Sequence, residues 1–318
     1  MKITNQHNLP DVVVQALSID KYSKGDADAS VTQLIDSPRV KVIQEEMREE
    51  LKSDISDNVF SVLGTAVHGV FEEAITSQQS DSSKFQHSDA VERICEERLF
   101  AEESGWKISG AMDLQQVTIG PHGEAQVKIS DFKVTSVWSV IFGKTSWETQ
   151  LNAYAWLVRH AKGREHYDLR SWKVSELEII AVLRDWQRRK AEQEDNYPSC
   201  PIAVIPVKLW SEDEQDIYMK ERVAIHQKAI YEQLTHGAVP FCTDEERWKQ
   251  PDKFAVMKKG RVRAIKLHDN LADADEHAGN LNGDHYVEER AGRCTRCADD
   301  WCKVSQWCDQ YQSEVWGP

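Results

Sequence analysis

The sequence has no long apolar segment, because charged residues interrupt its apolar runs throughout. No run approaches the ~18 consecutive apolar residues that a membrane helix requires. The first residues, MKITNQHNLPDVVVQ, also lack the basic-then-apolar order of a secretory signal peptide. We therefore expect a cytoplasmic protein that has no membrane partner.

The chain is also short of positive charge. Its 39 lysines and arginines against 53 aspartates and glutamates give a net charge of -14. This excess of acid disfavours non-specific binding to nucleic acid, whose phosphates it repels. It does not exclude a DNA enzyme, because affinity for DNA depends on the local basic patch that meets the phosphates.

Cysteine is sparse over most of the chain, where Cys95, Cys200 and Cys242 are isolated and expected in the core. An odd total of seven argues against a disulfide framework in a cytoplasmic protein. The remaining four lie close together near the end of the sequence: Cys294, Cys297, Cys302 and Cys308. Such spacing is typical of zinc sites and iron–sulfur clusters. The simpler alternative is that small buried thiols pack against the neighbouring tryptophans.

Apolar periodicity predicts the elements of one mixed-sheet α/β core with helical additions. The predicted elements are a helical segment over 30–52 interrupted at Pro38, helices over 61–75, 90–103, 147–161 and 211–234, a hairpin over 110–133, and buried strands over 175–186 and 201–210. We expect a polar arm over 1–30 and the core over 31–270. An acidic linker and the cysteine-rich tail would follow over 271–318.

The segment from Gly110 to Lys133 carries the most specific pattern, two strands around the turn-forming sequence IGPHG. A hairpin folded about His122 pairs Asp113 with Asp131 on one face, with their Cβ atoms roughly 5 Å apart. Lys133, two residues further on, points to the same face. Two carboxylates this close repel each other unless a cation lies between them. A divalent metal with a lysine beside it suits chemistry on a phosphate.

Four short motifs occur in order along the chain: GTAVH ending at His68, GAMD ending at Asp113, DFK ending at Lys133, and QLNAY ending at Tyr154. This order resembles the RecB-like branch of the PD-(D/E)XK nuclease superfamily, in particular the short stand-alone exonucleases that bacteriophages carry. The resemblance spans residues 61–159 and extends toward the cysteine-rich tail. It implies a restriction-endonuclease-like fold, a mixed β-sheet flanked by helices, with a helical N-terminal addition and a cysteine-rich C-terminal one.

The resemblance also implies roles. His68, Asp113 and Asp131 would bind Mg²⁺ or Mn²⁺ together with the Phe132 carbonyl, and Lys133 would activate the attacking water and stabilise the pentacovalent phosphate. Carboxylate oxygens suit Mg²⁺, and an imidazole ligand makes Mn²⁺ a reasonable second choice.

Three of these assignments have structural alternatives. Gln150 and Tyr154 would position the DNA strand or the lysine, but a helix can also use such residues for packing. His68 alone would more simply be a histidine hydrogen-bonded within the fold. Glu72, one helical turn after His68, is interpreted as a surface acid.

CRISPR-associated members of this branch carry a 4Fe–4S cluster on three C-terminal cysteines and one upstream of the G-x-x-x-H helix. Here no cysteine precedes Cys95, and the corresponding stretch over 35–39 reads IDSPR. Either Cys294 supplies the fourth thiolate, or the last three cysteines remain without a cluster. The resemblance favours iron–sulfur over zinc.

Two basic groups are candidates for DNA contacts, although a run of charge is more often a solvated face. The first follows a Lys-Lys-Gly turn that would project amides and charges toward phosphates. Its members are Lys258, Lys259, Arg261 and Arg263. The second lies over 184–190. Trp138 and Trp147 flank the loop after the hairpin, where they would stack on unpaired bases or belong to the core.

These features predict a metal-dependent DNA nuclease, an exonuclease that hydrolyses phosphodiester bonds at linear or single-stranded DNA ends. Its partner would be DNA, with recombination or replication proteins as further partners, and a phage-encoded enzyme would act in the host cytoplasm. One alternative is a non-catalytic DNA- or protein-binding module on the same fold. Another is a CRISPR-adaptation-type trimming nuclease, against which the missing upstream cysteine argues.

Overall fold

The structure, a computed structural model, describes residues 2–19, 23–80, 92–119, 124–162 and 171–316. Its elements fall into two units. The first unit comprises Met1–Asp36 and Lys52–Tyr231, and the second comprises Ser37–Leu51 and Glu232–Pro318. No helix in the described ranges is long and apolar enough to cross a membrane.

The first unit contains most of the strands. They are β1 (Lys2–Thr4), β2 (Ala29–Ser30), β3 (Lys52–Asp54), β4 (Glu92–Glu103), β5 (Trp106–Ile119), β6 (Glu124–Thr135), β7 (Ser171–Leu183) and β8 (Ile202–Val207). Its helices are α1 (Asp11–Leu17), α2 (Val31–Leu34), α4 (Val59–Ser80), α5 (Val137–Ile141), α6 (Thr145–His160), α7 (Arg188–Ala191) and α8 (Glu212–His236), the last of which ends in the second unit.

The second unit holds three strands and the remaining helices of the described chain. These are α3 (Pro38–Glu46), β9 (Lys253–Lys258), β10 (Lys266–His268), α9 (Leu271–Gly279), β11 (His285–Arg290), α10 (Thr295–Ala298) and α11 (Asp309–Trp316). The three strands form an antiparallel sheet in the order β10-β9-β11.

A six-stranded mixed sheet organises the first unit. Its order is β2-β5-β6-β7-β8, and β4 pairs with β5. The β4, β5 and β6 pairings are antiparallel, β6 and β7 are parallel, and β8 returns antiparallel to β7. Helix α6 packs on this sheet, and together they bury the main apolar core. The predicted mixed α/β class is therefore confirmed.

The long helices and the central strand were predictable. Helix α6 matches the prediction over 147–161, α8 matches that over 211–234, and β7 matches the strand over 175–186. Ser211 caps α8: its hydroxyl accepts a hydrogen bond from the Glu214 N–H at 3.2 Å. The Glu214 carboxylate in turn accepts one from the Ser211 N–H at 2.7 Å.

The helix predicted over 90–103 is wrong, because residues 92–103 form strand β4. Its glutamates and arginines favour a helix locally. Pairing with β5 from Glu92 to Glu103, interrupted only at Glu96, supplies backbone hydrogen bonds along the segment and overrides that preference. Leu99 and Ala101 alternate into the core, as strand residues do.

The sequence predicts a buried strand over 201–210, but strand β8 is only partly buried. It pairs only with β7 within the described sheet, so it forms an edge, and its side chains alternate between half-buried and exposed. Ile202 and Val204 lie on the exposed side. A continuous apolar run is typical of a central strand, but an edge strand can carry the same residues.

The predicted domain boundaries also need correction. The acidic segment interpreted as a linker contains helix α9, capped by the Asn270 side chain on the Asp273 N–H, and it is followed by β11. The second unit already begins at Glu232, with a further piece from Ser37 to Leu51. In the predicted polar arm, β1 pairs with β3 and β2 joins the main sheet. Sequence-distant pairing of this kind leaves no local signal.

Gly110 allows α6 to approach β5 closely. A Cβ atom at this position would lie 2.6 Å from Leu157 Cδ1 and 2.8 Å from Tyr154 Cε1, well inside van der Waals contact. We expect Gly110→Ala to lower the free energy of unfolding by about 1–3 kcal/mol, the usual cost of overpacking. Urea unfolding followed by circular dichroism measures the change.

Gly69 provides the matched control for this substitution. It lies within helix α4, and a Cβ atom there would meet nothing within 4 Å. Gly69→Ala should therefore raise the free energy of unfolding by up to about 1 kcal/mol through helix propensity. Equal effects of the two substitutions would contradict the role given to Gly110.

Candidate metal centre

Strands β5 and β6 bring two aspartates together. Leu114 lies opposite Ser130 in the register predicted from a turn centred on residue 122, although residues 120–123 themselves lie outside the described ranges. One step further along, this register places Asp113 opposite Asp131. The Asp113 Oδ2 accepts a hydrogen bond from the Phe132 N–H at 2.6 Å, which fixes the carboxylate between the strands.

His68 reaches the aspartates from helix α4. Phe71 packs on Phe132 with ring centroids 4.7 Å apart, and this contact holds α4 against β6. His68 Nε2 lies 2.9 Å from the Phe132 carbonyl oxygen, and Nδ1 lies 3.4 Å from Asp113 Oδ1. Both nitrogens of the ring therefore face the site.

The apolar side chains of α4 are only partly buried. Leu63 and Val70 are exposed, whereas Val67, His68 and Phe71 are half-buried. The helix is rotated so that the histidine faces the sheet. Periodicity alone could not find this rotation, because apolar residues occur all round the first turns of α4.

Glu96 is a site residue that sequence reasoning missed. Cys95 pairs with Leu114 and Glu97 with Met112, so Glu96 lies opposite Asp113 on β4. Its carboxylate Oε1 is 3.8 Å from His68 Nδ1. Its backbone φ of 51° locally interrupts the strand pairing. Only a strand assignment for 92–103 would have revealed this position.

His68, Glu96 and Asp113 form a group with the geometry to hold a metal. One ligand atom from each lies within 4.8 Å of the other two, and no other such group of three occurs in the described part of the chain. The group contains one imidazole and two carboxylates. Both donor types bind Mn²⁺, and the carboxylates suit Mg²⁺.

Asp131 is buried beside this group and is only partly satisfied. The Lys133 ammonium lies 2.6 Å from Asp131 Oδ2, and Gln150 Nε2 donates to Oδ1 at 3.2 Å. Among the described residues, Oδ2 still has no hydrogen bond of good geometry. A buried oxygen in this state retains a lone pair for a further ligand.

Burial sets the charge state of this pair. Removal from water raises the pKa of Asp131 to about 6, although Lys133 acts in the opposite direction and Asp113 adds repulsion. Burial would lower the pKa of Lys133, but the Asp131 carboxylate outweighs it and raises that pKa. Lys133 therefore stays protonated. The Asp113 and Asp131 carboxylates repel each other, and positive charge between them stabilises both.

Gln150 connects Asp131 to helix α6. Its amide nitrogen also lies 2.9 Å from the Tyr154 hydroxyl, one helical turn away. All three side chains are buried. The structure thus brings Gln150 and Tyr154 to the aspartate rather than to the lysine, while their part in catalysis stays a prediction.

His68 is held as a cation by its neighbours. Burial would lower the pKa of this imidazole, but the nearby carboxylates of Asp113 and Glu96 outweigh it and raise the pKa to about 10. A protonated His68 supplies the positive charge that the carboxylates need when no metal ion is bound.

The clustered cysteines lie apart from these residues in the chain, within the second unit. All four are buried: Cys294, Cys297, Cys302 and Cys308. Arg39 Nε donates to Cys308 Sγ at 3.2 Å, and Ser37 Oγ lies 3.1 Å from Cys242 Sγ. Both contacts come from the stretch where the resemblance expects an upstream cysteine. No three thiols of the described chain lie within 4.8 Å of one another.

Two other predictions concern the second unit and the isolated cysteines. The four basic residues proposed for phosphate contacts are exposed at the end of β9 and in the turn after it: Lys258, Lys259, Arg261 and Arg263. Their role stays a prediction.

Cys200 is exposed and Cys95 and Cys242 are half-buried, so the expectation that these three belong to the core is wrong.

Comparison with known proteins adds little. No family model matches the chain, and no curated protein matches it. Among solved structures, the chain is similar to a protein named SSO0001, with a TM-score of 0.35 and 16% identity. The match covers 67% of this chain and 82% of that one. A similarity this low carries no argument about function.

The charge on His68 predicts a pH dependence of stability in metal-free protein. Between about 6.5 and about 10 the folded chain keeps a proton on His68 that the unfolded chain has released. The free energy of unfolding should therefore fall as pH rises through this window, and the contribution is fully present only below it. Urea unfolding in EDTA at a series of pH values measures this loss.

The variant His68→Gln is the control, since it cannot hold the proton and should lose this part of the pH dependence. Carbon-13 NMR titration of labelled histidine checks the same point directly. Saturating Mg²⁺ should lower the His68 midpoint, because an ion and a proton compete for the same nitrogen. An unchanged pH profile in the variant would contradict the assigned charge.

Proposed function

We propose that the protein is a metal-dependent DNA nuclease with a restriction-endonuclease-like fold, acting as an exonuclease on linear or single-stranded DNA ends. One observation supports this above the others. The ligand atoms of His68, Glu96 and Asp113 converge beside a buried Asp131 that is paired with Lys133. Three carboxylates this close together repel one another unless positive charge lies among them, and a metal ion beside His68 and Lys133 would supply it.

The residues fit Mg²⁺ or Mn²⁺. His68, Asp113, Asp131 and the Phe132 carbonyl would hold the ion, with Glu96 as an additional carboxylate. Asp131 Oδ2 has no hydrogen bond of good geometry within the described chain, as expected for an oxygen reserved for a ligand. When bound, such an ion lowers the pKa of water and offsets charge on the leaving oxygen.

The side chains around the ion would complete the chemistry of phosphodiester hydrolysis. Lys133 is held protonated by Asp131, so it would stabilise the negative charge that develops on the phosphate. Gln150 fixes the Asp131 carboxylate through Oδ1, so that Oδ2, beside the Lys133 ammonium, would face the ion. Asp113 is fixed in the same way by the Phe132 N–H. The site is thus preorganised before DNA binds.

We further propose that the four clustered thiols hold an iron–sulfur cluster. A cluster distributes four thiolates over several irons, and the resemblance of the motifs to nucleases that carry such a cluster favours it over zinc. Arg39, a buried cation, already donates to Cys308.

DNA would be the partner of this enzyme, with the cytoplasm as its location and with recombination or replication proteins as further partners. The exposed basic turn around Lys258 would add phosphate contacts. A phage-encoded enzyme would act in the host cytoplasm.

Digestion of end-labelled DNA with Mg²⁺ or Mn²⁺ tests the nuclease proposal. Asp131→Ala and Lys133→Ala should each lower the cleavage rate at least about 100-fold, the usual cost of removing a group that stabilises a transition state. Circular single-stranded DNA should resist an exonuclease, whereas a linear form of the same strand should be degraded.

Lys52→Ala is the matched control, because Lys52 ends another acid-x-Lys triplet but is exposed on β3. It should cleave like the wild type. Melting curves establish that each variant is folded. Undiminished cleavage by folded Asp131→Ala would disprove the assigned site. Tight DNA binding without any hydrolysis would favour the non-catalytic binding module instead.

Protein purified without oxygen should be brown and should contain iron and acid-labile sulfide. Cys302→Ser should lower the iron content, because it removes one buried thiolate. Cys200→Ser, at an exposed cysteine of the first unit, should not change it. A colourless protein that contains zinc instead of iron would contradict the cluster.

A further inference from the structure

Three aromatic side chains of the first unit are exposed to solvent near the ends of β6 and β7. The exposed fractions are 58% for Phe60, 50% for Trp138 and 78% for Phe142. A core would bury rings of this size, and grouped exposed apolar surface commonly marks an interaction site. Together with three neighbouring cations we call these residues the aromatic rim: Phe60, Trp138, Phe142, Lys144, Arg184 and Lys190.

Trp138 and Phe142 form a ready-made stacking surface. Their ring centroids are 5.7 Å apart and their planes differ by only 14°. They lie one helical turn apart at the start and just after the end of helix α5, so the backbone fixes the parallel arrangement. Half of Trp138 and most of Phe142 are exposed, so a planar base can continue the stack.

Cations lie beside these rings. The Arg184 guanidinium is 4.3 Å from the Phe60 ring centroid, and Lys190 Nζ is 5.9 Å from that of Trp138. Lys144 lies 5.8 Å from the ring of the buried Trp147. In the described part of the chain, Lys144, Arg184 and Lys190 make no ion pair. Their charge is therefore available to an external anion.

The rim adjoins the candidate metal centre. Strand β6, which carries Asp131 and Lys133, leads directly into α5, and the Arg184 N–H donates to the Thr135 carbonyl at 3.0 Å. Burial lowers the pKa of Lys144, and the positive charges of Arg184 and Lys133 lower it further. Lys144 therefore lies close enough to Arg184 and Lys133 to be repelled by both. Phe60 lies on α4 two helical turns before His68, about 12 Å along the axis.

We propose that the aromatic rim is the path by which single-stranded DNA reaches the metal centre. Exposed rings stack on unpaired bases, and interleaved cations contact the phosphates between them. Bases within a duplex are already stacked on each other and cannot reach the rings. The proposal rests on the nuclease function and adds a preference for unpaired DNA.

Binding without hydrolysis tests the rim. Fluorescence anisotropy of labelled (dT)12 in EDTA should show at least about tenfold weaker binding by Trp138→Ala/Phe142→Ala than by the wild type, the scale expected for lost stacking. A blunt DNA hairpin without unpaired ends should bind both proteins within about twofold. The single variant Trp138→Phe keeps a ring at this position and retains Phe142, so it should bind (dT)12 with most of the wild-type affinity.

Trp248→Ala is the matched control. Trp248 in the second unit is 49% exposed and has the Arg296 guanidinium 5.5 Å from its ring centroid. It resembles Trp138 in residue type, exposure and cationic neighbour. Its loss should leave (dT)12 binding unchanged.

Two results would overturn the rim: wild-type affinity for (dT)12 in the folded double variant, or an equal loss for the hairpin. Tighter binding of (rU)12 than of (dT)12 would overturn the assignment to DNA. The nuclease proposal fails separately. If the wild type binds (dT)12 through the rim but cleaves no DNA with Mg²⁺ or Mn²⁺, the result supports the proposed DNA path and contradicts the nuclease proposal.

Discussion

The burial of the Asp131 carboxylate is the constraint on which the first unit depends. An isolated buried charge is costly, and the chain offsets this cost with the Lys133 ammonium on one oxygen and the Gln150 amide on the other. Each partner comes from an element with a fixed place: the lysine from β6 itself and the amide from α6. The hairpin, the helix and the carboxylate therefore support one another.

The close approach of α6 to the sheet follows from a backbone position without a side chain. At Gly110 the rings and methyl groups of α6 occupy the space that a Cβ atom would fill. This packing buries Tyr154 and Gln150, and burial in turn raises the pKa of Asp131 to about 6. A glycine on β5 thus bears on the charge state of a carboxylate on β6, through the helix that covers both strands.

Prediction from sequence succeeded where the local signals agree and failed where they conflict or where pairing is distant. The register of β5 and β6 was predictable, because a short turn relates two strands by simple counting. Helix α6 was predictable from its periodicity. Strand β4 was not, since its glutamates favour a helix, although its partner β5 follows after a two-residue turn. Glu96 was missed for that reason alone, and the site contains a carboxylate that none of the four sequence motifs includes.

An acidic protein must overcome its own field before it can hold DNA. The net charge of -14 repels phosphates at long range, and the metal centre gathers three of the acidic side chains, Glu96, Asp113 and Asp131. A bound cation would reverse the sign locally. Stacking is insensitive to net charge, because it depends on contact between planar rings. Exposed rings beside an acidic centre therefore provide affinity for DNA that does not depend on salt. Additional lysines would provide it mainly at low salt, where electrostatic attraction is least screened.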